Sequence, residues 1–155
     1  MARSMIRVVT LLWFSVLGFQ PASAFGRDDV WVSGWGQGVS EAIITHGAGN
    51  QIYVTCNDGG SPFSGTEISF MLAGKAAMGS EVTLTFDGAA PERISIRDGA
   101  ITSDCHACMA SYEYVIGKLR GHTSVHVMFE NGDSALFTLR GSAEAIVACT
   151  PDFAR

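Results

Sequence analysis

The stretch TSVHVMFENGDSALFTL, residues 123–139, decides the fold of this chain. A two-residue Asn-Gly turn would pair Phe129 with Ser134 and leave apolar side chains on both faces of a hairpin. A three-residue turn, with Gly132 left-handed in a bulge, pairs Phe129 with Asp133 instead. Because register follows the hydrophobic pattern, we predict the bulged turn. It places six apolar side chains on one face: Val125, Val127, Phe129, Ala135, Phe137 and Leu139.

Short runs with strand character also precede this hairpin, and turn signals separate them at intervals of about 8–12 residues. The candidate strands are residues 30–32, 41–46, 51–56, 67–72, 81–86, 93–97 and 100–102. Asp98-Gly99 predicts a hairpin between the last two of these runs. The pattern predicts a mainly β protein, an antiparallel β-sandwich or barrel.

Two segments have helical rather than strand periodicity. One lies near residues 105–120, where Tyr112, Val115, Ile116 and Leu119 fall on one helical stripe. Ser103 or Asp104 is the predicted N-cap. A second short helix is predicted near residues 142–149, ending at Thr150-Pro151. It would carry three residues inward: Ala145, Ile146 and Cys149.

The N-terminus has the three parts of a secretory signal peptide. Arg3 and Arg7 are positive, an apolar run follows over residues 8–18, and Ala22-Ser23-Ala24 forms a small-x-small cleavage site. The apolar run is shorter than the roughly 20 residues that span a bilayer. We therefore predict a signal peptide over residues 1–24 and a single secreted β-rich domain over residues 25–155. The expected location is periplasmic or secreted, with no integral membrane segment after processing.

The predicted mature chain is acidic. Without Arg3 and Arg7, eight basic residues stand against fifteen acidic ones, which gives a net charge of −7. Such a surface argues against nucleic acid and anionic membranes as partners, and it suits a basic partner. The same charge also serves solubility. The expected partner is a protein or a cell-envelope component, with no nucleic acid involved.

The four cysteines predict two disulfides, because an even number in an exported chain reads as a disulfide framework. Three pairings are open to Cys56, Cys105, Cys108 and Cys149. We favour Cys105–Cys108 with Cys56–Cys149, since the close pair can join locally and leaves the distant pair to each other.

Cys105-His106-Ala107-Cys108 is the sharpest local motif in the sequence. A Cys-x-x-Cys at a helix N-terminus can have a lowered thiol pKa, as in thiol–disulfide oxidoreductases. Those enzymes place the motif after an early strand of a βαβ unit, whereas here it follows a run of antiparallel strands. We therefore predict a structural staple, keep the redox enzyme as the alternative, and assign no catalytic residue.

Metal ions and cofactors are not expected. His122 and His126 lie in or beside a strand, where four residues span about 13 Å, so the two cannot chelate one ion without a sharp bend. Cys105 and Cys108 with a histidine could hold zinc, but an oxidising compartment competes for the thiols.

Aromatic side chains offer a different hypothesis: Trp31, Trp35 and Tyr53 could form a sugar- or peptide-binding surface, or they could simply pack in the core or at a sheet edge.

Residues 137–149, FTLRGSAEAIVAC, carry a family resemblance. A strand ending in Phe-x-Leu-x-Gly-Ser, followed by a short helix ending in Cys, resembles the invasion-associated locus B family of exported proteobacterial proteins. The resemblance implies a periplasmic, non-enzymatic β-domain. In size, acidity and disulfide content the chain also resembles periplasmic lysozyme inhibitors as a class. The predicted function is thus a non-catalytic binding module, with inhibition of an envelope hydrolase as a special case.

Overall fold

The strands of this chain form two antiparallel sheets. The computed structural model describes residues 27–59, 65–147 and 150–154. The predicted signal peptide and Cys149 lie outside these described residues. The first sheet runs in the order β1-β2-β3-β4-β5, and β8 pairs with β4 beside β5. Its strands are β1 Val32–Gly36, β2 Val39–His46, β3 Asn50–Asn57, β4 Glu67–Leu72, β5 Lys75–Ala76 and β8 Ala100–Thr102.

The second sheet has four strands in the order β10-β9-β6-β7. Its strands are β6 Glu81–Phe86, β7 Glu92–Ser95, β9 Ser124–Phe129 and β10 Ser134–Thr138. Every strand pair in both sheets is antiparallel. The predicted antiparallel β class is confirmed, and of the two architectures the structure has the open sandwich rather than the closed barrel.

One hydrophobic core lies between the sheets. Alternation directs every second side chain of a strand to the same face, and those inward positions are apolar in both sheets. The first sheet contributes Ile44, Ile52, Val54, Ile68, Phe70 and Leu72, and the second contributes Val82, Leu84, Phe86, Val125, Val127 and Phe137. Among the described residues, every fully buried side-chain nitrogen or oxygen has a hydrogen-bond partner.

The hairpin of β9 and β10 has the predicted bulged turn. Val127 pairs with Ala135, and the Phe129 amide donates to the Asp133 carbonyl at 2.9 Å. Gly132 has a φ of +91°, which a residue with a side chain rarely adopts. The six apolar residues assigned to one face are all buried, so both the register and the turn type are confirmed.

The predicted hairpin around Asp98-Gly99 is wrong. The tight turn exists, because Arg97 and Ala100 exchange both main-chain hydrogen bonds. Only that one bridge forms, however, and the two arms then separate. The first arm, β7, pairs with β6, whereas β8 pairs with β4 in the other sheet. The turn residues fix the reversal of the chain, but the free sheet edges decide where each arm pairs.

A 16-residue helix, α1 His106–Gly121, packs against the sandwich. Tyr112, Val115 and Leu119 are buried on the predicted stripe, and Ile116 packs beside them. The N-cap is Cys105 rather than Ser103 or Asp104, because the Cys105 sulfur accepts a hydrogen bond from the Cys108 amide in the first turn of the helix.

The remaining predicted elements are shifted or shortened. The strand predicted at residues 30–32 begins two residues later, at the start of β1. The C-terminal helix, α2 Ser142–Ala145, is one turn long, and Ala145 and Ile146 point inward as expected.

The Ser142 hydroxyl at the start of α2 is fully buried. It lies 2.6 Å from the Leu119 carbonyl and 2.7 Å from the Leu139 carbonyl. It therefore ties α1 to the end of β10.

Candidate functional site

The three aromatic side chains proposed as one surface are not brought together. Trp31 is buried in the core and its indole nitrogen donates to the Thr138 carbonyl at 3.1 Å. Trp35 is 72% exposed at the edge strand β1. Trp35 is in register with Cys56, whereas Tyr53 lies three residues from Cys56 on β3. Tyr53 and Trp35 therefore occupy opposite faces of the first sheet.

Tyr53 instead belongs to an acidic face on the outer side of the first sheet. Strand pairing places Glu41, Thr55 and Glu67 in one row across β2, β3 and β4. Because neighbouring strands lie about 4.8 Å apart, the backbones of the two glutamates are separated by roughly 10 Å. Tyr53 occupies the next position on the same face of β3, two residues before Thr55, and its phenol hydrogen-bonds to Glu41. We call Glu41, Tyr53 and Glu67 the acidic face.

Burial and mutual repulsion disfavour additional negative charge on this face. Burial raises the pKa of Tyr53, and the hydrogen bond to Glu41 and the charges of Glu41 and Glu67 raise it further. Burial also raises the pKa of Glu67, with the Asp152 carboxylate as the second cause. Both shifts have the sign that desolvation and like charge produce for an acidic group. A cation placed here would offset the repulsion between these acidic groups.

Asp152 is held beside Glu67 by the start of β4. Its carboxylate accepts the Thr66 amide at 2.8 Å and the Thr66 hydroxyl at 3.2 Å. Its own amide donates to the Ser103 hydroxyl at 3.0 Å. These contacts anchor the C-terminal 3₁₀ turn, Asp152–Ala154, against the first sheet and fix a third carboxylate near the acidic face.

The Cys-x-x-Cys motif forms a second notable region, at the start of α1. Cys105 and Cys108 are joined by a disulfide with their Cα atoms 4.9 Å apart, which confirms the predicted local bridge. The Cys108 amide donates to the Cys105 sulfur at 3.1 Å. The ring of His106 contacts that of Phe153, with 3.9 Å between centroids. Both cysteines are partly exposed, so a reductant could reach the bridge.

Asp104, Cys105 and Cys108 have donor atoms within 4.8 Å of one another. Thiolates, rather than disulfide sulfurs, are the metal-ligand form of cysteine. This set could therefore hold a cation only after reduction of the bridge.

Only one cysteine of the second predicted disulfide lies among the described residues. Cys56 is buried and disulfide-bonded, but Cys149 lies outside the described residues. The Cys56–Cys149 pairing stays a prediction, and non-reducing peptide mapping would test it.

A cavity of about 300 Å³ adjoins the disulfide. It opens where β7 and β8 leave the Asp98-Gly99 turn for different sheets, and the first turns of α1 form its other wall. Ile96, Ala100 and Ile101 are its buried apolar residues. This cavity was not predictable from the sequence, because the two strands were predicted to pair in one hairpin with no gap between them.

The acidic face was missed for a related reason. Alternation along each strand places Glu41, Thr55 and Glu67 outward, which the sequence does indicate. It does not indicate that β2, β3 and β4 are neighbours in a register that aligns these three residues.

The fold and these regions define an antiparallel β-sandwich with one disulfide-capped helix. A family model, YfjT, matches residues 29–146 of the 155-residue chain, and the chain belongs to that family. Neither the curated proteins nor the solved structures contain a match. No helix in the described part of the chain is long and apolar enough to cross a membrane. The resemblance of residues 137–149 to invasion-associated locus B proteins stays a prediction.

Proposed function

We propose that the mature chain is an exported, non-catalytic binding module for a basic protein or a basic cell-envelope component. The observation that carries the proposal is the acidic face of Glu41, Tyr53 and Glu67. Both the burial of Glu67 and its proximity to Asp152 disfavour its ionised form. A lysine or arginine of a partner would favour the ionised form and gain a charge-assisted hydrogen bond.

The face has the composition that a basic side chain requires. The outward positions of β2, β3 and β4 carry two glutamates and no lysine or arginine. Tyr53 lies beside both carboxylates, and an aromatic ring next to anions can hold a guanidinium through cation–π contact. The net charge of −7 on the mature chain adds long-range attraction for a basic partner.

Export supplies the setting for such a partner. Cleavage after Ala24 would give a mature chain beginning at Phe25, located in the periplasm or outside the cell. In that compartment a basic envelope hydrolase, such as a lysozyme, is a partner of fitting charge, and inhibition would then follow from occlusion of its active site. N-terminal sequencing of periplasmic material tests the first step, and a chain that starts at Met1 would contradict it.

The binding test uses residues 25–155 immobilised on a biosensor, with a basic lysozyme and a basic polypeptide as probes. The Glu41→Gln/Glu67→Gln double variant should weaken binding about tenfold or more, since hydrogen bonds to charged groups are worth about 1.5–3 kcal/mol each. The matched control is Glu113→Gln/Glu144→Gln, which removes the same charge from exposed helical positions.

Three further results are expected in this experiment if the partner is basic. The control variant should bind within about twofold of wild type, because screened surface charges contribute little. Binding should weaken as ionic strength rises, and also as the pH falls and Glu67 loses its charge. Equal losses in the double variant and the control, or no binding of either basic probe, would reject a basic partner.

A second candidate function is a thiol–disulfide oxidoreductase that uses Cys105 and Cys108. The observation in its favour is the amide of Cys108, which donates to the Cys105 sulfur at the N-cap of a long helix. That geometry would stabilise a Cys105 thiolate after reduction. A reduction potential between about −120 and −270 mV, with insulin-reducing turnover, would support the enzyme, and a value below about −300 mV without turnover would support a staple.

A further inference from the structure

Strand β1 forms an open edge of the first sheet. It pairs with β2 on one side, and among the described residues no strand pairs with its other side. Unpaired strand edges bind extended segments of other chains, and charged residues, short strands or covering groups commonly protect them. The sequence of β1, VSGWG, contains no charged residue and no proline. Its edge is therefore open to an added strand.

The strands at the other ends of the two sheets carry such protection. β5, at the far end of the first sheet, is only two residues long and begins with Lys75. In the second sheet, β7 begins with Glu92 and Arg93, and the Thr138 carbonyl of β10 accepts the indole of Trp31. β1 has none of these three features, which makes its edge the most exposed of the four to strand addition.

The turn between β1 and β2 determines which main-chain groups of β1 face outward. Gln37 and Gly38 have φ angles of +52° and +79°, and they connect Gly36 to its partner Val39. Two positive φ angles in a two-residue loop indicate a type I′ turn, whose flanking residues form a hydrogen-bonded pair. Hydrogen-bonded and non-hydrogen-bonded pairs alternate along an antiparallel ladder. The amides and carbonyls directed away from β2 are therefore those of Ser33 and Trp35.

The two faces of β1 offer an added strand different contacts. Gly34 is in register with Glu41, in the row that continues to Glu67. Because glycine has no side chain, a long side chain of an added strand can reach across it towards Glu41, whose backbone would be roughly 10 Å away at two strand spacings. The opposite face carries Trp35, which is 72% exposed. An added strand would thus meet a carboxylate on one face and an indole ring on the other.

Charge decides which chain suits this edge. Glu41 and Glu67 belong to the acidic face, and the mature chain has a net charge of −7. A second copy of the chain would bring the same acidic face and the same negative charge alongside, and like charges repel. A basic segment complements both the local and the overall charge.

We propose that β1 binds an extended basic segment of a partner protein as an additional antiparallel strand, a known mode of peptide recognition. The added residue opposite Gly34 is a lysine or arginine that faces Glu41. Its two neighbours lie opposite Ser33 and Trp35 and exchange main-chain hydrogen bonds with them. The antiparallel direction follows every strand pair of both sheets and gives the more stable pairing. The inference rests on the proposed function, because the segment is basic, and adds how that segment is held.

The test is a binding titration of the mature protein with three peptides. The parent, acetyl-Thr-Lys-Val-Lys-Val-Lys-Thr-amide, alternates basic and apolar side chains with the period of a strand. The second peptide carries N-methyl groups on both valines, and the third carries them on the two outer lysines. With the central lysine opposite Gly34, the valine amides face β1 and the lysine amides face away. The valine-methylated peptide should therefore bind at least about tenfold more weakly than the lysine-methylated one.

Protein variants test the same contacts from the side of β1. Ser33→Pro removes one outward amide at an edge position, where proline is tolerated, and should weaken binding of the parent peptide about tenfold. Its matched control, Ser95→Pro, makes the same change at an exposed position of the edge strand β7 and should bind as the wild type does. Trp35→Ala should weaken binding severalfold, because the ring contact is lost.

Amide hydrogen exchange gives a site-specific measurement on the unmodified protein. Saturation with the parent peptide should slow exchange at Ser33 and Trp35, whose amides become hydrogen-bonded. If circular dichroism shows that Ser33→Pro is unfolded, this measurement and the two methylated peptides decide the outcome. Unchanged exchange at both residues in the saturated protein would overturn the inference.

The other outcomes separate this inference from the proposed function. Equal affinities of the two methylated peptides would reject main-chain pairing, and the reverse order would reject the antiparallel direction; a weakening by Glu41→Gln in either case would leave the basic partner standing. A peptide with glutamate in place of lysine that binds as tightly as the parent would reject both. Dimerisation of the wild type in sedimentation, lost in Ser33→Pro, would assign the edge to a second copy. No saturable binding of the parent peptide would reject strand addition.

Discussion

Replacing Trp31 with phenylalanine should destabilise the protein, whereas the same change at Trp35 should not. Trp31 is 7% exposed and Trp35 is 72% exposed. The indole nitrogen of Trp31 donates to the Thr138 carbonyl of β10. The contact links the segment preceding β1 to the second sheet and spans 107 residues of sequence.

The expected loss of folding free energy in Trp31→Phe has two sources. The hydrogen bond contributes about 1 kcal/mol net. The smaller ring removes apolar contact equivalent to about two methylene groups, at about 0.8 kcal/mol each. We therefore expect Trp31→Phe to lower the free energy of unfolding by roughly 2–3 kcal/mol. Trp35→Phe should change it by less than about 0.5 kcal/mol, as for most exposed positions.

Urea unfolding of residues 25–155, followed by far-ultraviolet circular dichroism, measures both variants. With an m-value of about 2 kcal/mol per molar, Trp31→Phe should lower the midpoint by about 1 M. Fluorescence provides an independent check, because each variant retains one tryptophan. The remaining Trp31 should resist acrylamide quenching, and the remaining Trp35 should not. Equal midpoints for the two variants, or equal quenching, would refute the buried position of Trp31.

Three other substitutions test the structure at separate points. Ser142→Ala should cost about 1–3 kcal/mol in an unfolding titration, because it leaves buried carbonyls without their hydroxyl donor. Glu67→Gln should raise the melting temperature at neutral pH, since ionisation of this residue opposes folding, and a calorimetric pH series should show the gain vanishing below about pH 4. Hydrogen bonds from Thr123 and His122 hold the pKa of Asp87 well below its usual range, so that carboxylate stabilises the fold above the unfolded pKa, about 4. Asp87→Asn should therefore lower the melting temperature at neutral pH, and the same series should show the deficit shrinking as the pH falls below that value.

Several elements were predictable because their determinants are local. The β9–β10 turn follows from the left-handed preference of Gly132 and the alternation of the residues around it. The stripe on α1 follows from helical spacing, and β4 and β6 follow from strict alternation over six residues each. The Cys105–Cys108 bridge joins residues three positions apart, so it required no knowledge of the fold.

Only the tertiary structure decided which strand edges pair and which side chains become neighbours on each face of a sheet. β7 and β8 share a turn but pair in different sheets, and this separation creates the cavity beside Arg97. Trp31 became a core residue because β10 offers it a carbonyl from the far end of the chain. Glu41 and Glu67 share a row because β3 lies between their strands. Alternation assigns a side chain to one of two faces, but only long-range strand pairing selects its neighbours on that face.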